Sequence, residues 1–127
     1  MNRYDPDRAP DPKEWLDLDE LKRIDLVYVY HRMARIKMPN VRAHAAFHAI
    51  VENQIAMNIE PVVRAMGRLM TEGLSRHEAV HAVASLVAIQ VHSLSSGAGD
   101  PVSAQAKFDE GIEKLTAQRW LDGSIYD

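Results

Sequence analysis

The chain has 127 residues, 46% of them apolar, which suits one hydrophobic core and is too short for two domains. Lys and Arg number 15 against 18 Asp and Glu, so the net charge of −3 provides no overall basic field for nucleic acid or an anionic membrane surface. Cysteine is absent, which excludes disulfides and thiolate metal ligands. Without an apolar signal region or a membrane span of about 18 residues, we expect a cytoplasmic location.

Residues 1–12 are rich in Asp, Arg and Pro and are predicted to form an extended or disordered N-terminal arm. Residues 13–127 are predicted to form the folded domain. Its first helix is expected from about Asp17 to Ile36, and Pro39 follows its end. Four apolar residues at helical spacing support this helix: Leu21, Ile24, Tyr28 and Ala34.

Two further helices follow in the middle of the chain. Asn40 is a suitable N-cap for a helix from Val41 to about Met57. The inward face of that helix is predicted to carry His44, Phe47, His48, Val51 and Ile55. Pro61 suits the first turn of the next helix, and Gly73 is expected to stop it.

The second half of the chain predicts two more helices. Ser75 and Glu78 match a capping box, and the helix that they begin is expected to continue through Val91. Asp100 and Pro101 open the last helix, which is expected to end near Trp120. No segment shows the alternation of a strand, so the sequence predicts an all-α, single-domain bundle of four to five helices.

Histidines at four-residue spacing indicate a metal site between two helices. His44 and His48 share one face, with Glu52 a further turn along, and His77 and His81 repeat the spacing within an HExxH pattern. Imidazole nitrogens bind zinc and iron(II) well, so a divalent ion is expected, with zinc first and iron second. The predicted metal ligands are His44, His48, Glu52, His77 and His81.

Each of these residues has a second interpretation. A buried histidine can be a hydrogen-bonded core residue without metal. Glu78 is the candidate catalytic base, but it can instead complete the capping box of Ser75. Glu52 can be a ligand, a carboxylate that orients a histidine, or an exposed flanking residue. His31 and His92 are interpreted as surface or packing residues.

Further residues bear on the kind of site. Small side chains at Ala84 and Ala88 continue the stripe of His81, which predicts either a close approach of a neighbouring helix or a pocket beside the metal. The metzincin pattern is excluded, since Ala84 and Val87 stand where glycine and histidine are required. A third peptidase ligand would have to come from Glu110 or Glu113. A di-iron site of the usual plan needs a second Glu-x-x-His element, which the sequence lacks.

Two motifs resemble those of a bacterial family of small helical domains of unknown function. They are HxxxHxxxENQ, from His44 to Gln54, and GLxRHEAxHA, from Gly73 to Ala82. The resemblance extends from Tyr30 to about His92. It implies a bacterial source, and it implies that the predicted metal ligands and Glu78 belong to one motif set, but it implies no activity.

Three functional hypotheses follow from the sequence. The first is a metal-dependent hydrolase in which Glu78 or Glu52 takes a proton from a metal-bound water. The second is a non-catalytic protein in which the metal fastens two helices together. The third is an interaction module without metal, for which a homodimer is a candidate assembly. A metal ion is the expected partner, and neither nucleic acid nor membrane is expected.

Overall fold

Regular structure in the computed structural model is entirely helical over the residues that it describes, 1–97 and 99–124. This confirms the all-α prediction, although short additional helices raise the number above five. The predicted domain, 13–127, includes residues 98 and 125–127, which lie outside the described ones. The helices are α1 (Pro12–Asp17), α2 (Glu20–Met33), α3 (Val41–Ala56), α4 (Glu60–Thr71), α5 (Arg76–Ser95), α6 (Pro101–Lys114) and α7 (Ala117–Leu121).

Helices begin where the sequence supplies caps. The side chain of Asn40 accepts a hydrogen bond from the backbone N–H of Ala43 at the start of α3. At the start of α5 the capping box of Ser75 and Glu78 is present in both directions. At the start of α6 the carboxylate of Asp100 accepts the backbone N–H of Ser103. These local predictions are confirmed, because a cap requires only residues close in sequence.

The predicted helix over residues 17–36 is wrong in its bounds, since α2 spans Glu20–Met33. Asp19 begins a new helix, α2, by accepting the N–H of Lys22, so the chain bends between α1 and α2. Leu21 is 68% exposed. The buried residues of α2 are Leu26, Val27 and His31. Helix α6 likewise ends at Lys114, and Thr116 caps a separate α7.

Two groups of buried apolar residues surround the histidines. The larger group joins α3, α4, α5, α6 and α7 and includes Leu69, Val83 and Ile112. The smaller group joins the arm, α1, α2 and α3 around Trp15. Helix α3 contributes to both groups, so its histidines face α2 and α5. No described helix is long and apolar enough to cross a membrane.

The N-terminal arm, residues 1–11, packs along the bundle without forming a helix. Tyr4 is buried, with its ring 5.7 Å from that of Trp15. The guanidinium of Arg76 donates to the carbonyl oxygen of Pro6 at 2.8 Å, and the N–H of His77 donates to the carboxylate of Asp7 at 3.1 Å. The arm is therefore attached to the first turn of α5.

Candidate metal centre

Four histidines from three helices converge in the interior. His31 comes from the last turn of α2, His44 and His48 come from α3, and His81 comes from α5. One ring nitrogen of each lies within 4.8 Å of the corresponding nitrogen of each of the others. We call these four residues the histidine cluster. His31 and His48 are fully buried, and the other two are half-buried.

His31 is held in a tautomer that leaves one nitrogen free to bind a metal. Its Nδ1 lies 2.8 Å from the carbonyl oxygen of Val27, one turn earlier in α2. Because a carbonyl oxygen only accepts, Nδ1 carries the proton and Nε2 has the lone pair. That Nε2 is buried and has no hydrogen-bond partner. Metal-binding histidines commonly have this arrangement, in which a backbone carbonyl orients the ring.

His48 is oriented by the arm. Burial, followed by the charge of Glu52, raises the pKa of the Tyr4 hydroxyl well above its usual value, so this hydroxyl keeps its proton. The hydroxyl donates to the Glu52 carboxylate and lies 3.0 Å from Nε2 of His48. With its proton directed to Glu52, the tyrosine oxygen accepts from the Nε2–H of His48. The lone pair of His48 is then on Nδ1, which is buried and has no partner.

His44 and His81 approach each other directly. Their Nε2 atoms are 3.0 Å apart. Two neutral imidazoles at this distance share one proton between two basic nitrogens. Ligand nitrogens of a tetrahedral zinc ion with Zn–N bonds of about 2.0–2.1 Å are separated by about 3.3 Å. The pair is therefore close to the spacing that a metal would impose on it.

The histidines of the cluster are neutral near pH 7. Burial, with a smaller contribution from neighbouring histidines, lowers the pKa of His44 to about 4 and that of His81 to about 3. Burial also lowers the pKa of His31 and of His48. Because metals bind the neutral imidazole, these side chains are already in the form that coordinates an ion.

His77 lies beside the histidine cluster. Its ring centroid is 4.2 Å from that of His81, and its ring stacks on that of His48 at 5.6 Å. Its Nε2 is buried and has no hydrogen-bond partner. It is not among the four residues whose ligand atoms converge. The structure therefore brings His44, His48 and His81 together and places His77 alongside them.

The carboxylate of Glu52 is hydrogen-bonded to Arg76 and Tyr4. Its two oxygens accept hydrogen bonds from both terminal nitrogens of Arg76 at 2.8 Å, and one of them also accepts from Tyr4. The side chains of Glu52 and Arg76 are 1% and 9% exposed. Of the alternatives for Glu52, this geometry favours a carboxylate that orients a histidine, since it acts on His48 through Tyr4.

Glu78 lies at the exposed start of α5. Its carboxylate accepts the backbone N–H of Ser75 at 2.9 Å, and this hydrogen bond lowers its pKa. The structure thus supports the capping role, and the role of catalytic base stays a prediction. The two candidate peptidase ligands on α6 form exposed ion pairs, Glu110 with Lys114 and Glu113 with Arg64.

Sequence reasoning did not assign His31, Tyr4 or Arg76 to the site. A signal for His31 was present, because Ile24, Val27 and His31 fall at positions i, i+3 and i+7 of one helix face. Tyr4 and Arg76 gave no comparable signal. One lies in a proline-rich arm and the other in a capping turn, so only tertiary packing shows that they meet Glu52.

Comparison with known proteins adds no relative. Neither a protein-family model, nor a curated protein, nor a solved structure matches this chain. The resemblance of its histidine motifs to a bacterial family therefore stays a prediction. The site has to be interpreted from its own residues.

Proposed function

We propose that the protein binds a divalent metal ion, zinc or iron(II), through His31, His44, His48 and His81. The observation that carries the proposal is the convergence of four ligand nitrogens within 4.8 Å. Two of these histidines, His31 and His48, each have a buried nitrogen without a hydrogen-bond partner. An unsatisfied buried polar group costs about 1–3 kcal/mol, and coordination of a metal through these two nitrogens would satisfy both.

The ligand set supports zinc or iron(II) over harder cations. Magnesium and calcium prefer carboxylate and carbonyl oxygens, whereas imidazole suits zinc, iron and copper. Glu52 is linked to the histidine cluster by hydrogen bonds through Tyr4, but the charge of its carboxylate is neutralised by Arg76. A nitrogen-only site is the consequence.

The contacts of the two candidate glutamates favour binding over hydrolysis. In the hydrolase hypothesis, Glu78 or Glu52 has to reach the metal-bound water and take its proton. Glu78 caps α5 and Glu52 is paired with Arg76, so each has a role in local structure. We therefore infer that the ion joins α2, α3 and α5 and stabilises their packing. A hydrolase stays the second hypothesis, and a metal-free interaction module the third.

Metal content tests the proposal directly. Untagged protein purified without chelator is analysed by plasma mass spectrometry, and chelator-treated protein is titrated with zinc, iron(II) and magnesium. We expect about one zinc or iron per chain, lost in His48→Ala and His81→Ala, with no comparable binding of magnesium. Native protein that contains no metal and, after chelation, does not bind zinc at micromolar concentrations would overturn the proposal.

Thermal unfolding tests the structural role of the ion. A ligand that binds only the folded state stabilises it by about 4 kcal/mol at a thousand times its dissociation constant. Zinc added to the chelator-treated protein is therefore expected to raise the melting temperature. A melting temperature that is equal with and without bound zinc would contradict a role in holding the helices together.

Location and assembly also stay predictions. A cytoplasmic location is proposed from the sequence, and a second copy of the chain is the candidate protein partner. Cell fractionation tests the first, and light scattering of the purified protein tests the second.

A further inference from the structure

A cavity of about 340 Å³ lies beside the histidine cluster, between α3 and α5. His44 and His81 form one end of it. The sequence predicted either a close helix approach or a pocket at Ala84 and Ala88, and the structure has the pocket. Its remaining lining residues are Phe47, Ser85, Ile89 and His92.

The cavity extends from the surface to the histidines. Its residues on α5 follow one helix face from His81 to His92, which corresponds to a rise of roughly 16 Å at about 1.5 Å per residue. Ala84, one turn from His81, is 4% exposed. Further along, Ile89 is 40% exposed and His92 is exposed. The end of the cavity at His44 and His81 is therefore the more buried one, and the end at Ile89 and His92 is open to solvent.

The lining specifies the chemistry of an occupant. Phe47, Ala84, Ala88 and Ile89 make the walls apolar, and none of the described residues that line the cavity is Asp, Glu, Lys or Arg. The hydroxyl of Ser85 donates to the carbonyl oxygen of His81 at 3.0 Å, so its proton is already used. The walls thus offer a surface for hydrocarbon and little polar recognition.

The metal end of the cavity would attract an anion. A divalent ion held by neutral imidazoles keeps its full double positive charge. The ion pair of Glu52 with Arg76 is neutral as a unit, so it does not balance that charge. An anionic head group that approaches from the cavity would do so.

We propose that this cavity binds a small organic monoanion, of the class of short-chain carboxylates. Its head group would add to the four histidine nitrogens as a fifth ligand of the metal, on the side of His44 and His81, and its hydrocarbon chain would lie against Phe47, Ala84 and Ala88. The proposal rests on the metal site proposed above. The metal site would then bind an external ligand in addition to joining the helices.

Cobalt(II) provides a probe for this ligand. The full-length protein is treated with chelator and loaded with cobalt(II), whose visible absorption reports changes in its coordination. Acetate, butanoate and hexanoate are then titrated in a non-coordinating buffer. We expect each acid to change the spectrum, with affinity rising about fourfold for each added methylene that is buried against the apolar walls.

A matched pair of variants locates the binding. Ala88→Leu fills the cavity without altering a histidine, and Ala106→Leu adds the same atoms at an exposed position of α6. We expect both variants to bind cobalt at wild-type stoichiometry. The gain in affinity with chain length should disappear in Ala88→Leu and remain in Ala106→Leu. Because the chain-length series is also measured on wild-type protein, the test holds even if Ala88→Leu fails to fold.

The outcomes separate the two proposals. Failure to bind both cobalt and zinc would overturn the metal site itself. Cobalt binding with a spectrum that no acid changes would overturn the cavity proposal and leave the metal site intact. Equal affinity for all three acids would show that the anion binds the metal without using the cavity, and that would also overturn the proposal.

Discussion

The Nε2 atoms of His44 and His81 lie 3.0 Å apart, although 37 residues separate the two histidines in the chain. They belong to different helices, α3 and α5, and each shares its helix with a second histidine four residues away. Without an ion, this contact uses one proton for two basic nitrogens. A bound ion would use both lone pairs, so metal binding would strengthen the packing of α3 on α5.

His31→Ala is expected to remove the metal even though His31 belongs to neither of the paired motifs. Its Nε2 is buried, has no hydrogen-bond partner, and is in the tautomer that presents a lone pair. Bound zinc should fall from about one per chain to about a tenth of that or less. Plasma mass spectrometry after dialysis measures the change.

His92→Ala is the control for that variant, because His92 lies at the exposed end of the cavity, away from the converging nitrogens. It should keep the wild-type metal content. Equal metal content in the two variants would remove His31 from the ligand set.

Tyr4→Phe is expected to weaken metal binding from a distance. The variant removes the hydroxyl that accepts from His48 and donates to Glu52, so the orientation of the His48 ring is no longer fixed. Loss of such an orienting partner typically costs 10–100-fold in metal affinity. Competition for zinc against a chromophoric chelator measures this loss.

Tyr28→Phe provides a matched control. The Tyr28 hydroxyl accepts from the exposed Arg32, outside the site. The zinc affinity of the Tyr28→Phe variant should equal that of the wild type. A similar loss in both variants would indicate that general destabilisation, and not the contact with His48, explains the effect of Tyr4→Phe.

The sequence predicted those features of the site that depend on neighbours within one helix. Four-residue spacing places His44 and His48 on one face of α3, and the capping box of Glu78 involves only the first turn of α5. Contacts between segments that are distant in the chain could not be predicted from spacing within one helix. Whether Glu52 faces a metal or Arg76 depends on how α3 packs on α5, and its position along α3 is the same in both cases.

The arm illustrates the same limit. Residues 1–12 lack apolar periodicity, so they predict an extended segment and do not predict its contacts. Tyr4 is nevertheless buried against Trp15 and His48. Helix α1 was missed, and α7 was predicted as the end of the preceding helix, because one or two turns are too few for a separate periodic pattern to appear.

Arg76→Met is expected to destabilise the fold strongly. The variant leaves the buried carboxylate of Glu52 without its cationic partner, and it also removes the hydrogen bond to Pro6. Removing one partner of a buried ion pair costs about 3–5 kcal/mol. Urea denaturation of the metal-free protein measures the free energy of unfolding.

Two further variants complete the test of this ion pair. Arg64→Met breaks the exposed contact with Glu113 and should cost about 1 kcal/mol or less. Adding Glu52→Gln to Arg76→Met removes the uncompensated charge and should restore part of the stability. If Arg76→Met is no more destabilising than Arg64→Met, the buried pair does not contribute as described.

Stability of the metal-free protein should decrease as the pH falls below the ordinary histidine pKa of 6.5. Burial holds the pKa of His44 at about 4 and that of His81 at about 3 in the folded state. Between pH 6.5 and 4 the unfolded chain therefore binds more protons than the folded one, and the free energy of unfolding falls with each step toward lower pH.

Urea denaturation at pH 7.5, 6.5 and 5.5, above the range where carboxylates titrate, measures how steeply the free energy of unfolding depends on pH. His81→Gln should reduce the slope, since it removes one of the groups responsible, whereas His92→Gln at the exposed end of the cavity should leave it unchanged. A free energy of unfolding that stays constant over this range would mean that the cluster takes up protons in the folded state as readily as in the unfolded one.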